Sequence, residues 1–172
     1  MKRHLILVGL PGSGKSTVGA LAAAELGAGF TDLDEAIEAM AGVSITEIFA
    51  TRGEAAFREL EREAMDAALL GNPQVIAPGG GWAAQPGNLA AVEDRAVVVY
   101  LAISPKAAAR RLEGDTARPL LAGAAQPRER LEQLLLAREP FYRLAALEVD
   151  AESGPPEFVA KAVAAAARQH GI

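Results

Sequence analysis

Residues Gly9-Leu10-Pro11-Gly12-Ser13-Gly14-Lys15-Ser16-Thr17 fill every position of the pattern G-x-x-x-x-G-K-S/T. Its chemistry is the holding of phosphate. Backbone N–H groups of the glycine-rich turn wrap a phosphate chain at a helix N-terminus, where the helix dipole also favours negative charge. Gly12, Ser13, Gly14, Lys15, Ser16 and Thr17 are therefore the expected nucleotide contacts. Lys15 is expected to reach the β- and γ-phosphates and the Ser16 hydroxyl to ligate Mg²⁺. An apolar run, Leu5-Ile6-Leu7-Val8, precedes the loop, and Val18 to Leu26 reads as a helix after it. Strand, loop and helix in that order separate a true phosphate loop from a chance match.

Other residues of chemical interest fall at the ends of further apolar runs. Thr31-Asp32-Leu33-Asp34-Glu35 follows a short strand pattern. Residues two apart on a strand share a face, so Asp32 and Asp34 are expected to look into one site. Asp32 suits a metal held through water. Asp34 suits a substrate hydroxyl or its proton, and a plain helix cap is the competing reading. Pro78-Gly79-Gly80-Gly81-Trp82 leaves the third strand with bare backbone at three successive positions, fit for substrate oxygens or for a flexible loop. Glu54, Arg58 and Glu61 share a helix face. They read either as a solvated ion-pair face or as an arginine oriented by carboxylates to take an anion bidentately. Arg138 is a second arginine of that kind or a surface charge. Arg118, in Arg118-Pro119-Leu120-Leu121, is placed to close over phosphates from a lid or is a solvated loop residue. Arg110 is either an adenine-stacking group or an exposed helix charge.

Strands that could position these groups are expected at 4–9, 29–32, 74–78, 96–101 and 147–150. Helices are expected at 15–26, 34–41, 44–70, 88–93, 105–113, 128–144 and 156–169. Continuous apolar runs such as Val97-Val98-Val99-Tyr100-Leu101 are typical of strands covered on both faces. Strands alternating with helices imply an α/β fold, a parallel sheet with helices on both faces. In such sheets ligands sit beyond the carboxyl ends of the strands. The segments that matter there are 9–16, 32–35, 79–82 and 104 onward.

Bulk properties narrow the function classes. The 172 residues suit one domain with a full core, and a hydrophobic content of 51% argues against disorder. Alanine dominates that content and aromatics are only 5%, so alanine-rich helices packed closely on a sheet of larger aliphatics are expected. A net charge of −5 gives no overall basic footprint for nucleic acid, so phosphate must be held by local charge. The absence of cysteine excludes disulfides and thiolate metal sites, and it fits a cytoplasmic setting. The apolar start is too short for a signal peptide and runs straight into the phosphate loop, and no stretch is long enough for a membrane span.

In this order and spacing the segments resemble the shikimate kinase family. The matching residues are 9–17, Asp32-Leu33-Asp34, Gly53-Glu54 with Phe57-Arg58 and Glu61, Gly79-Gly80-Gly81, Arg118-Pro119-Leu120-Leu121, and Arg138 with Pro140 and Tyr142-Arg143. The resemblance runs from about residue 5 to residue 145. It implies a P-loop fold like that of nucleoside monophosphate kinases, with five parallel strands. It also implies one kinase domain with a substrate-binding subdomain near 33–61 and a lid near 112–125. It implies ATP and Mg²⁺, with Ser16 and Asp32 serving the metal, and shikimate as the small-molecule partner. Asp34, Arg58, Gly79, Gly80, Gly81 and Arg138 would bind shikimate, with Glu61 orienting Arg58 and Asp34 as general base. Lys15, Asp34 and Arg118 would then be catalytic.

Two features depart from the family pattern. Trp82 stands where a small residue is expected, so its ring either lines the acceptor pocket or packs outward. The segment near 151–156, expected beside adenine, lacks a basic residue. The alternatives to a shikimate kinase are a related small-molecule kinase of gluconate or nucleoside monophosphate type, and a nucleotide-binding regulator without turnover. Retention of Lys15, Ser16, Asp32 and Arg118 favours catalysis. A monomer without nucleic-acid or membrane partners is expected.

Overall fold

The computed structural model describes residues 1–113 and 127–172. Five strands form one sheet: β1 (His4–Val8), β2 (Gly29–Asp32), β3 (Gln74–Ala77), β4 (Ala96–Ala102) and β5 (Leu147–Asp150). Their order is β2-β3-β1-β4-β5 and every pairing is parallel. The central strands are the apolar ones. Leu5, Ile6 and Leu7 are 0% exposed, and β4 is buried through Leu101. The edge strands β2 and β5 are more exposed, as strands with one open side must be. Chain connections leave β1 toward β2 on one side and β4 toward β5 on the other. The end of β1 is therefore a topological switch point, where open sheets bind ligands.

The helices are α1 (Lys15–Leu26), α2 (Leu33–Ala41), α3 (Ile45–Leu70), α4 (Asn88–Val92), α5 (Pro105–Arg111), α6 (Pro127–Tyr142) and α7 (Pro156–Gln169). As expected, small residues let the layers approach. Ala22 and Ala23 of α1 and Ala160, Ala164 and Ala167 of α7 are buried, and α1 packs along α7. At Gly19 even a methyl group would sit 2.6 Å from the Phe30 ring, so glycine sets the distance between α1 and β2.

Three expectations need correction. Asp34 is not on a strand: the chain turns into α2 at Leu33, and Asp32 is the cap, its carboxylate accepting from the Asp34 and Glu35 amides. The strand alternation argued for the pair does not apply. The long helix is not continuous either. Gly53 has φ 78 and ψ 175, which breaks α3 into two helical segments. Its apolar pattern runs across the break, and a single glycine inside a helical pattern is an ambiguous breaker. Finally, Trp82 begins a 3-10 turn (Trp82–Ala84) and is only 2% exposed. It neither packs outward nor lines the cleft. It belongs to the hydrophobic core.

Candidate active site

The phosphate loop joins β1 to α1 and is shaped by its glycines. Gly14 caps α1 with φ 90, a left-handed conformation that side chains disfavour. Gly12 has φ 84, and a Cβ there would meet the Ala108 carbonyl oxygen at 2.8 Å. Lys15 is 8% exposed, and its Nζ donates to the Gly9 and Leu10 carbonyls at 3.1 Å each. The ammonium is thus folded over the loop. Ser16 and Thr17, the next two residues, are exposed. Ser13 is fully buried, and its hydroxyl has no partner among the described residues.

A cleft of about 310 Å³ opens over this loop. That volume suits a small ligand, at the lower end of ordinary binding sites. The cleft brings together Gly12, Gly14, Lys15, Ser16 and Thr17 with Asp32, Asp34, Gly79 and Gly80. Leu112, Ala151, Gly154, Pro156 and Val159 contribute a less polar part of its wall. The segment expected beside adenine therefore does border the site. Arg110 does not: it is exposed and absent from the lining. Its neighbour Arg111 lines the cleft instead. Arg111 Nη2 donates to the Ala151 carbonyl at 2.7 Å, and Nη1 lies 3.5 Å from the Ser13 carbonyl, so the side chain bridges the phosphate loop and the segment after β5. Helical spacing carries the signal that singles out 111. It lies three and four residues beyond the buried Ala108 and Ala107. Arg118 falls outside the described residues.

The triple glycine organises the other half of the site. A Cβ at Gly79 would meet Asp34 Oδ1 at 3.2 Å and Glu61 Oε1 at 3.4 Å. At Gly80 it would meet the Gly9 carbonyl oxygen and Pro11 Cδ, both at 3.1 Å, so this loop rests directly against the phosphate loop. At Gly81 it would meet Arg58 Nη2 at 3.0 Å and Arg138 Nη2 at 3.3 Å. Bare α-carbons thus admit four charged side chains that begin on three different helices. Each carbonyl of the loop is engaged: Gly79 accepts from the Trp82 amide, Gly80 from the Tyr142 hydroxyl and Gly81 from the Ala84 amide.

Both arginines come from buried stripes. On α6, Leu131, Leu134 and Tyr142 are buried, and Arg138 lies on the same stripe. On α3, Arg58 Nη1 donates to Glu61 Oε2 at 2.7 Å and Nη2 to Glu54 Oε1 at 3.1 Å. Arg58 also packs over the Phe57 ring, 5.1 Å from its centroid. Glu61 has a side chain only 3% exposed, and burial raises its pKa above 4.5 while the Arg58 charge opposes the rise. Two nitrogens still lack partners: Arg58 Nε and Arg138 Nη1 are buried with no hydrogen bond among the described residues. Two guanidinium groups this close repel in a partly dry setting, and unsatisfied buried donors are costly. A carboxylate between them would relieve both.

A phosphate loop, an acidic pair and two arginines that converge beside it, on a parallel five-stranded sheet, define a P-loop small-molecule kinase. The sequence model described as shikimate kinase matches residues 11–168. Shikimate kinases of Mycobacterium avium (strain 104) and Mycobacterium tuberculosis (strain H37Ra) are 46% and 45% identical over 162 residues, covering 94% of this chain and 91% of each relative. The structure of shikimate kinase from Acinetobacter baumannii in complex with shikimate superposes with a TM-score of 0.92 at 32% identity, covering 99% of this chain and 95% of that one. The Aquifex aeolicus shikimate kinase gives 0.84 at 32% identity, with 98% of both chains covered. The chain belongs to the shikimate kinase family. A gluconokinase from Sinorhizobium meliloti, at 19% identity and TM-score 0.64, shares the fold alone.

Proposed function

We propose that this chain transfers the γ-phosphoryl group of ATP to the 3-hydroxyl of shikimate, giving shikimate 3-phosphate and ADP. The observation that carries this reading is the meeting of Arg58 and Arg138 over Gly81, each with an unpartnered buried nitrogen, next to the phosphate loop. A ring carboxylate seated there would place the hydroxyls of the same ring toward Asp34, which lines the cleft. Membership in the family makes the enzyme an ATP-dependent phosphotransferase.

Phosphoryl transfer asks for positioning and charge neutralisation more than covalent help. Asp34 accepts the hydrogen bond, and then the proton, of the attacking hydroxyl. Lys15 neutralises the transferring group, and Arg118, assigned from the sequence alone, adds a second cation from the lid near 112–125. Residues 33–61 form the acceptor-binding subdomain of a single kinase domain. The less polar wall made by Leu112, Pro156 and Val159 suits the adenine ring, with Arg111 beside it in place of Arg110.

The residues present also fit Mg²⁺. Among the described residues no group of three or more His, Asp or Glu side chains could hold a metal. Mg²⁺ needs no such cage, because it keeps waters and shares phosphate oxygens. Ser16 and Asp32, both in the cleft wall, would hold it. Asp32 spends Oδ1 on the α2 cap, which leaves Oδ2 for a metal-bound water. When bound, the ion would supply positive charge to neutralise the phosphate oxygens. No helix among the described residues is long and apolar enough to cross a membrane. The same proposal places the enzyme in the cytoplasm as a monomer with no nucleic-acid or membrane partner.

Phosphorus NMR of a reaction with MgATP and shikimate tests the chemistry. One new monoester resonance, coupled to the ring proton at carbon 3, is expected. A resonance coupled at another carbon, or only inorganic phosphate, would contradict the assignment.

A further inference from the structure

The phosphate-donor half of the site and the acceptor half meet at Gly80, and one buried side chain holds that junction. Tyr142 is 0% exposed, lies at the end of α6, and donates its hydroxyl hydrogen to the Gly80 carbonyl. The α-carbon of the same glycine rests against the Gly9 carbonyl and Pro11 of the phosphate loop. Gly80 is therefore held from one side by the donor loop and from the other by Tyr142.

One consequence follows from peptide geometry. No peptide bond among the described residues is cis. In a trans peptide the N–H of one residue points opposite to the C=O before it. Fixing the Gly80 carbonyl on Tyr142 thus aims the Gly81 N–H away from Tyr142, and Gly81 is the residue over which Arg58 and Arg138 converge. Tyr142 also follows Arg138 by four residues, so the two share a helix face. The Arg138 charge acts on the phenol and opposes the stronger effect of burial, which pushes its pKa up to about 12. The hydroxyl is therefore a committed donor at neutral pH. The ring itself is fixed by stacking on Tyr100, centroid to centroid 5.3 Å.

We infer that Tyr142 is a positioning residue for the acceptor: its hydroxyl locks the Gly80–Gly81 peptide and Arg138 into one rigid cradle for the substrate carboxylate. This rests on the proposed shikimate reaction. The side chain lies outside the cleft lining, and acts through Gly80 and Arg138.

The test is Tyr142→Phe, which keeps every carbon of the ring, beside wild type and Tyr100→Phe. Tyr100→Phe alters the same stack, but its hydroxyl is not the one that holds the loop. Steady-state constants for both substrates and Tm are measured for all three proteins. Leaving a buried carbonyl without its donor should raise the shikimate KM of Tyr142→Phe about tenfold or more. The ATP KM should stay within about twofold, and Tyr100→Phe should resemble wild type in both. A shikimate KM within twofold of wild type, or equal increases in both KM values, would overturn the inference. So would a Tyr142→Phe protein unfolded at the assay temperature, since the hydroxyl would then be a general structural element. Failure of wild type itself to turn over shikimate would instead count against the proposed reaction.

Discussion

Arg58 and Arg138 approach one another over the α-carbon of Gly81, where a Cβ would lie 3.0 Å from a nitrogen of the first and 3.3 Å from a nitrogen of the second. The gap exists because residue 81 has no side chain. Its backbone, at φ −90 and ψ −10, is one that any residue adopts. Gly81→Ala should therefore fold with Tm changed by only a few degrees, while the new methyl group pushes both guanidinium groups aside. The expected kinetic result is a shikimate KM raised at least about tenfold with ATP KM nearly unchanged. A normal shikimate KM would mean that the arginines do not act from this position.

Removing either arginine tests the same pocket from the other side. Arg58→Ala or Arg138→Ala should raise the shikimate KM about 10- to 100-fold, the range for losing a hydrogen bond to a charged group. The ATP KM should move far less. The Arg58 variant also leaves Glu61 buried without its partner, so its Tm should fall further than that of Arg138→Ala. Equal effects on both substrates would remove the carboxylate assignment.

Lys15→Met keeps the buried stem and deletes the ammonium that now bonds the Gly9 and Leu10 carbonyls. Turnover should drop by about 100-fold or more, as when a preorganised charge is lost at a transition state. Circular dichroism should remain that of the folded wild type. Near-normal kcat would refute the phosphate role.

His4 gives a pH dependence unrelated to catalysis. Burial depresses its pKa below 6.5, against a hydrogen bond to the Leu69 backbone and aided by the nearby Arg95 charge. Its Nδ1 accepts from the Gln74 amide, at the start of β3, which requires the unprotonated nitrogen. A group with a depressed folded pKa binds its proton more readily when unfolded. Stability from His4 is thus complete above about pH 6.5 and is lost as pH falls toward the folded value. Urea unfolding at pH 7.5 and 5.5 should show a larger loss for wild type than for His4→Gln. An equal loss in both would contradict this.

The sheet was legible because its central strands are unbroken apolar runs, and burial on both faces leaves little choice of residue. The more exposed edge strands β2 and β5 also fell where they were expected, at 29–32 and 147–150. The phosphate loop was legible because its chemistry fixes residue types at fixed spacing. What the sequence hid is mostly orientation. Asp32 ends β2 and also caps α2, its one carboxylate oxygen bonding two following amides, whereas alternation carried the strand on to Asp34. Arg111 rather than Arg110 borders the cleft because helical register, not residue type, decides which of two adjacent arginines faces it. Gly53 broke a helix across which the apolar pattern continues, and Trp82 turned inward through a 3-10 turn that no pattern announced. Glu54 and Glu61 beside Arg58 were legible as neighbours three and four residues away, whereas the meeting of Arg58 with Arg138 over Gly81 is a three-dimensional convergence that no local window contains.

The central claim is acceptor identity. The most direct measurement is ADP release with MgATP, compared among shikimate, gluconate, AMP and no acceptor. Rapid release with shikimate, at least about 100-fold above each of the others, is the predicted result. Equal or faster release with gluconate or AMP, or release that no acceptor stimulates, would contradict it.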